Sequence, residues 1–165
     1  KQEFAGYWEY VLDEAIFTAP AHPFWGGTAL IGPAGDLLGI GSLQIQQSAP
    51  TARGTTRKAE DANMVVPIDL LKPVLDDLTT RGQPNRPPRP WLGLYASEVG
   101  SNIAIVGVAN GGPAEAADVR AGDMVLAVAG VAVNDLAGLF RRVWSLGEAG
   151  VEVPLTLDRE GSTFV

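Results

Sequence analysis

From Arg81 to Pro90 the chain reads Arg-Gly-Gln-Pro-Asn-Arg-Pro-Pro-Arg-Pro, with four prolines in ten residues. No helix or central strand runs through such a stretch, because each proline lacks an N–H and restricts the residue before it. An extended, stiff connector is predicted, which divides the 165 residues into 1–80, a linker over 81–90, and 91–165. Each part must then build its own core. With 46% hydrophobic and 19% charged residues the chain is too apolar for disorder. Its 20 glycines and 12 prolines argue against a helical bundle. The expected class is mainly β with some α+β.

Composition also removes several functions. A net charge of -7 is the wrong sign for a surface that binds nucleic acid. The absence of cysteine removes disulfides, thiolate metal sites and a thiol nucleophile, and one histidine cannot build a multi-histidine metal centre. No phosphate-loop, zinc-protease or dinucleotide fingerprint is present, so no cofactor and no metal are expected. The longest uncharged stretches, Ala15 to Gly35 and Leu37 to Ala52, are broken by proline and glycine or by polar residues, which argues against a membrane span. Lys1-Gln2-Glu3-Phe4 and Ser162-Thr163-Phe164-Val165 read as cut ends.

In the first part, strands are predicted over Phe4 to Leu12, Thr28 to Ile31 and Asp36 to Ile45, the last two joined by the turn Gly32-Pro33-Ala34-Gly35. Gln46 to Asn63 is polar and reads as an exposed loop. A helix follows, with Asp69 as its N-cap, Pro73 in its first turn, a stripe of Leu70, Leu71, Val74, Leu75 and Leu78, and Gly82 as its stop. The part after the linker alternates short strands with helices: Trp91 to Ser97, Asn102 to Val108, a short helix near Pro113 to Ala117, Asp123 to Ala129, a longer helix from Asp135 to Leu146, and Val151 to Asp158.

Two motifs in this second part are specific. Trp91-Leu92-Gly93-Leu94 resembles the Φ-Φ-Gly-Φ carboxylate-binding loop of PDZ domains. Gly112-Pro113-Ala114-Glu115-Ala116-Ala117, followed by Arg120-Ala121-Gly122-Asp123-Met124-Val125-Leu126-Ala127-Val128-Ala129-Gly130, resembles the G-x-P-A-x-x-A-G-L-x-x-G-D-x-I-L-x-x-N-G core of the same family. Asp118 stands at the usual glycine and Ala129 at the usual asparagine. The resemblance implies that backbone N–H groups of the loop converge on a peptide's terminal carboxylate while the peptide adds a strand to a sheet edge. It also places Leu139, Val143 and Leu146 on the groove side of the longer helix, with Leu136, Phe140 and Trp144 pointing elsewhere. The peptide-binding residues expected are therefore Trp91, Leu92, Gly93, Leu94, Leu139, Val143 and Leu146. An apolar Leu139 predicts hydrophobic peptide tails, not tails with Ser or Thr two residues from the end. The bland alternative makes the stripe core and the groove empty or covered.

A PDZ domain joined by a short linker after a helix suggests the high-temperature-requirement (HtrA-type) serine proteases. Ala29-Leu30-Ile31-Gly32-Pro33-Ala34-Gly35-Asp36-Leu37-Leu38-Gly39-Ile40-Gly41-Ser42 is similar to that family's P-L-V-N-x-x-G-x-V-I-G-I-N-T, which follows its nucleophile loop G-N-S-G-G. Asn63-Met64-Val65-Val66-Pro67-Ile68 resembles its G-F-A-I-P strand. The resemblance implies the end of a trypsin-like barrel in which Gly26 occupies the nucleophile position. Glycine has no hydroxyl, and acyl transfer needs a nucleophile, a base and an orienting group. His22 reads as a loop residue, and about 80 residues supply only part of a two-barrel protease.

The expected chain is thus a fragment of an HtrA-type protease homologue, with a degenerate, inactive protease part and a PDZ domain that binds C-terminal or extended hydrophobic peptides. Two alternatives stand beside it: a parent that is an active endopeptidase, with Gly26 a substitution or the register shifted by a residue or two, and a scaffold whose groove is filled by its own chain. The resemblance further implies peptide or unfolded-protein C-termini as partners, a homo-oligomeric parent and an extracytoplasmic setting.

Overall fold

The computed structural model describes residues 1–47 and 60–165, which divide into two compact units. The first comprises Lys1–Phe4 and Leu12–Asn85; the second comprises Ala5–Val11 and Arg86–Val165. The division at Asn85 falls inside the Pro/Arg-rich stretch. Ala5–Val11, seven residues that were read with the first part, count with the second.

Five antiparallel strands belong to the first sheet: β1 (Gln2–Gly6), β2 (Tyr10–Thr18), β3 (Ala29–Ile31), β4 (Leu37–Gln47) and β5 (Glu60–Pro67), in the order β1-β2-β5-β4-β3. The continuous strand expected over Phe4 to Leu12 is instead broken by a turn at Tyr7–Glu9, with Glu9 in the left-handed region at φ 63°. The predicted loop over Gln46 to Asn63 is shorter at both ends. Gln46 pairs with Asp61 and Gln47 with Glu60, because an antiparallel ladder continues through polar residues when both partners supply backbone groups. The rest of that predicted loop, 48–59, lies outside the described residues.

Pro33 and Ala34 occupy the tight turn expected between β3 and β4, closed by Gly35 N–H on the Gly32 carbonyl at 3.0 Å with Gly35 at φ 84°. The predicted helix is two 3₁₀ turns, Ile68–Leu70 and Lys72–Val74, before a short α1 (Leu75–Arg81). Asp69 therefore caps no helix; it is ion-paired with Lys72 at 2.6 Å. Pro73 has no N–H to return to Asp69, which keeps the first turns from becoming α-helical. Gly82 ends α1 as expected, in the left-handed conformation with its N–H on the Leu78 carbonyl.

Leu12, Ala15, Ala62, Met64 and Val65 are buried in this unit, but Leu37, Leu38 and Ile40 of β4 and Leu70, Leu71, Leu75 and Leu78 around α1 are exposed.

The second unit holds a sheet in the order β11-β10-β8-β7-β6, with β9 paired to β8. Its strands are β6 (Leu94–Val99), β7 (Asn102–Val108), β8 (Met124–Val128), β9 (Val131–Ala132), β10 (Leu155–Arg159) and β11 (Ser162–Phe164). Two helices accompany them, α2 (Pro113–Ala116) and α3 (Leu136–Trp144). Pro113 opens α2, where its missing N–H costs nothing. One cluster joins sheet and helices, with Leu94, Ala96, Ile103, Ile105, Val125, Val128, Leu139, Phe140, Val143 and Leu157 at its centre.

Asp123 is the buried charge of this unit, 1% exposed. Arg159 on β10 donates to both of its carboxylate oxygens, Nε at 2.6 Å and a terminal nitrogen at 2.8 Å, and the Arg120 N–H adds a bond at 2.8 Å. Those bonds, Arg159's first, hold the Asp123 carboxyl below its ordinary range. The aspartate of the Gly122-Asp123 pair is thus a structural lock between the turn at residues 120–123 and β10.

Among the described residues no helix is long and apolar enough to cross a membrane, and no group of three His, Asp or Glu side chains gathers as a metal site.

Candidate peptide-carboxylate site

The loop before β6 is built so that its carbonyls are used and its amides are free to converge. The Leu92 carbonyl accepts from Ala114 N–H at 2.8 Å, and the Gly93 carbonyl from Ala109 N–H at 2.7 Å. Gly93 sits at φ 73°, and a Cβ there would lie 3.2 Å from the Trp91 ring, so both backbone and space call for glycine. The N–H groups of Leu92, Gly93 and Leu94 consequently point at one place.

A carboxylate occupies that place. Glu9 Oε1 accepts from Gly93 N–H at 2.7 Å, from Leu92 N–H at 3.1 Å and from Leu94 N–H at 3.2 Å; Glu9 Oε2 lies 3.1 Å from the Leu92 nitrogen. Two residues away, the Tyr7 carbonyl accepts from Ala96 N–H at 2.9 Å. Leu94 and Ala96 are alternate residues of β6, so their N–H groups share the strand's free edge. A step of two residues forward along β6 meets a step of two residues backward from Glu9 to Tyr7, which is the antiparallel sense. The rings of Tyr7 and Tyr95 lie 5.9 Å apart, and Ala5 and Val11 pack on the core cluster.

The residues named from sequence fall in three places. Leu92, Gly93 and Leu94 supply the carboxylate donors. Trp91 supplies none: 57% exposed, it lays its ring beside Gly93 and Gly112 and lines a cleft of about 360 Å³ with Pro90, Leu92, Pro113, Val151 and Val153. Leu139 and Val143 are 0% exposed in the core cluster, with Leu146 packed against it half-buried. The expected division of α3 into a groove side and another side is not clean, since Leu136 and Phe140 are buried too. A helix covered by a sheet buries more than one stripe. Glu9 was missed, because nothing local to Trp8-Glu9-Tyr10 marks a carboxylate bound 83 residues away.

The loop around Gly26, where the resemblance leads one to expect a nucleophile, also lies among the described residues. Gly26 is exposed, and a Cβ on it would meet nothing within 4 Å. The following turn is fixed by Gly27 N–H on the Gly41 carbonyl at 2.9 Å and Gly41 N–H on the Thr28 carbonyl at 2.7 Å. Thr28 spends its hydroxyl on the Phe24 carbonyl. His22 is exposed, and its ring Nδ1 accepts the Phe24 N–H at 3.1 Å; its backbone N–H donates to Oδ1 of the buried Asn63 at 2.6 Å. No hydroxyl, imidazole and carboxylate are joined by hydrogen bonds in this loop among the described residues.

Residues 90–164 match the PDZ domain family. They form a PDZ domain. The wider chain is HtrA-like over most of its length. It is 24% identical over 159 residues to a serine protease Do-like HtrA of Bacillus subtilis, covering 87% of this chain and 33% of that protein. A Do-like HtrA of Lactobacillus helveticus is 27% identical over 160 residues, covering 87% of this chain and 37% of the relative. The chain spans about a third of the length of the curated relatives it matches. Among solved structures, an HtrA-type protease AlgW with a decapeptide aligns at a TM-score of 0.49 and 21% identity over 82% of this chain and 42% of that one. The serine endoprotease of Yersinia pestis gives 0.46 and 24%, over 82% and 43%.

Proposed function

We propose that the PDZ domain captures peptides by their terminal carboxylate at Leu92, Gly93 and Leu94, with the peptide backbone added to the free edge of β6. The observation that carries this reading is the carboxylate held by three converging N–H groups beside an edge N–H, that of Ala96, that already donates to an added chain. Charge-assisted bonds of this kind are about twice as strong as neutral ones, which makes a free carboxylate the discriminating group. Leu139 and Val143 are closed into the core, so of the three helix residues expected at the groove only the half-buried Leu146 is left to meet a hydrophobic tail. The test is a fluorescence titration with a peptide ending in valine and with its C-terminal amide. Binding of the free acid and at least tenfold weaker binding of the amide are expected; equal binding of both sinks carboxylate capture.

We infer further that the first unit is the closing part of a trypsin-like barrel without hydrolytic function. The glycine at position 26 and the engaged His22 ring support this, and the exposed leucines of β4 and α1 fit a unit completed by other protein. The bound decapeptide in a relative's structure, and that family's work outside the cytoplasm, suggest protein C-termini met in an extracytoplasmic, oligomeric parent. Gly26→Ser has room for its side chain, so the variant should fold, yet in the longest available form of the protein it should stay inert to a fluorophosphonate label. Labelling of that variant would restore the endopeptidase reading.

A further inference from the structure

We propose that the hairpin tip Ala5–Val11 is a built-in ligand of the PDZ carboxylate loop, so that an outside peptide binds only as Glu9 leaves Leu92, Gly93 and Leu94. The inference rests on the carboxylate-capture reading and adds its regulation. Four separate features make the tip a ligand and not a neighbour. Its carboxylate satisfies all three loop N–H groups, with the shortest bond, 2.7 Å, on Gly93. Its backbone bonds to Ala96 in the antiparallel sense in which a peptide strand would add. Its aromatic residues brace each other: Tyr7 and Trp8 are edge-to-face at 4.7 Å, and Trp8 stacks on Tyr10 at 5.8 Å. Its flanks, Ala5 and Val11, cover the apolar cluster.

The tip also carries a cost that favours release. Glu9 holds φ 63°, a conformation that L-residues adopt with strain, and it does so at the residue that delivers the carboxylate. An outside terminus bearing the same charge on an unstrained chain offers the loop equivalent bonds. Two carboxylates cannot share the three donors, so binding is exclusive and the apparent affinity for peptide falls by the fraction of molecules in which the tip is out. A segment that is only one per cent open lowers affinity about a hundredfold.

The experiment uses the full 165-residue chain in wild-type, Glu9→Ala and Glu9→Gln forms. The probe is a dye-labelled Ser-Gly-Ala-Tyr-Ala-Val peptide with a free carboxylate, with its amide as control. Nitrogen-15 amide spectra without peptide report the loop directly, and thermal melts report folding; Glu9→Gln keeps the side chain's size should Glu9→Ala perturb the fold. Displaced Gly93 and Leu94 resonances in both variants, with a gain of about tenfold or more in affinity for the free acid and none for the amide, support the proposal. Unmoved loop resonances overturn the built-in ligand. Moved resonances with equal affinity for the free acid in all three proteins overturn the gating while leaving carboxylate capture standing. Moved resonances with no binding of either peptide to any form overturn the capture reading, and the gating falls with it.

Discussion

Ala129 and Gly130 form a two-residue loop between the paired Val128 and Val131, and both have positive φ, 47° and 75°. That is a type I′ turn, whose first position suits asparagine or glycine and strains alanine by about 1–2 kcal/mol. Ala129 stands where the family resemblance expects asparagine. Ala129→Asn and Ala129→Gly should each raise stability by about 1 kcal/mol, read as a higher urea midpoint at unchanged m-value. Glu160 and Gly161, at φ 53° and 85° between the paired Arg159 and Ser162, repeat the same turn, and Glu160→Asn should act in the same direction. Asp118, at φ 59° where the family pattern has glycine, is a different case. Its carboxylate takes three bonds from Arg120, at 3.0, 2.8 and 3.2 Å, and a long one from Arg159 at 3.5 Å, while its carbonyl takes one from Arg159 at 2.7 Å. Asp118→Gly relieves the backbone but loses only an exposed pairing, so its urea midpoint should stay close to that of the wild type.

At the level of elements, α3 shows how one short helix is fixed at its start by two carboxylates from different places. Asp135 caps it by accepting Gly138 N–H at 2.6 Å, and Glu98 of β6 accepts Leu136 N–H at 2.9 Å. Each satisfies one of the orphan donors of the first turn. Asp135→Ala should cost about 1 kcal/mol, Glu98→Ala a similar amount; the two losses should differ from additivity in a double-mutant cycle, because both carboxylates sit at the same helix end. Leu139→Ala tests the packing side of the helix. With Leu139 wholly buried, a loss of about 2–5 kcal/mol is expected; a loss below about 1 kcal/mol would show that the residue lines an open groove. Most elements of this unit are readable from sequence because their punctuation is local: Pro113 opens α2, Asn134 and Asp135 offer the caps of α3, of which Asp135 is the one used, and Gly93 and Gly122 mark turns. The first unit was read less well where two local signals compete. Pro73 outweighs Asp69 as a helix start, and the two ends of the polar run after Ile45, Gln46–Gln47 and residues 60–63, are strand and not loop, since backbone pairing across β4 and β5 leaves no trace in side-chain polarity.

For the molecule as a whole, the readable and unreadable parts of the site divide along the chain. The amide donors of Leu92, Gly93 and Leu94 are a property of one loop and follow from its glycine. The group that fills them comes from Glu9, at the far end of the sequence, and only the folded chain brings it there. The same separation governs Asp123 and Arg159, 36 residues apart, whose pairing no motif announces. Their contact makes stability depend on acid in a definite way. Because Arg159 and the Arg120 N–H hold the Asp123 carboxyl below its unfolded value near 3.9, the unfolded chain binds a proton first as pH falls. The pair's contribution is therefore fully present above about pH 5 and is lost progressively below pH 4, as pH drops through the folded value. Exposed Asp69 and Asp118 shift in the same direction, through hydrogen bonds from Lys72 and Arg120, but their contribution is screened by salt. Urea melts from about pH 2 to pH 7 at high salt should isolate the buried pair. Wild type should lose stability steeply below pH 4. Asp123→Asn, which leaves Arg159 without its partner charge, should be weaker by about 3–5 kcal/mol at pH 7 and show a flatter acid limb. An Asp123→Asn protein whose acid limb is as steep as wild type's would remove this pair as the origin of the pH dependence.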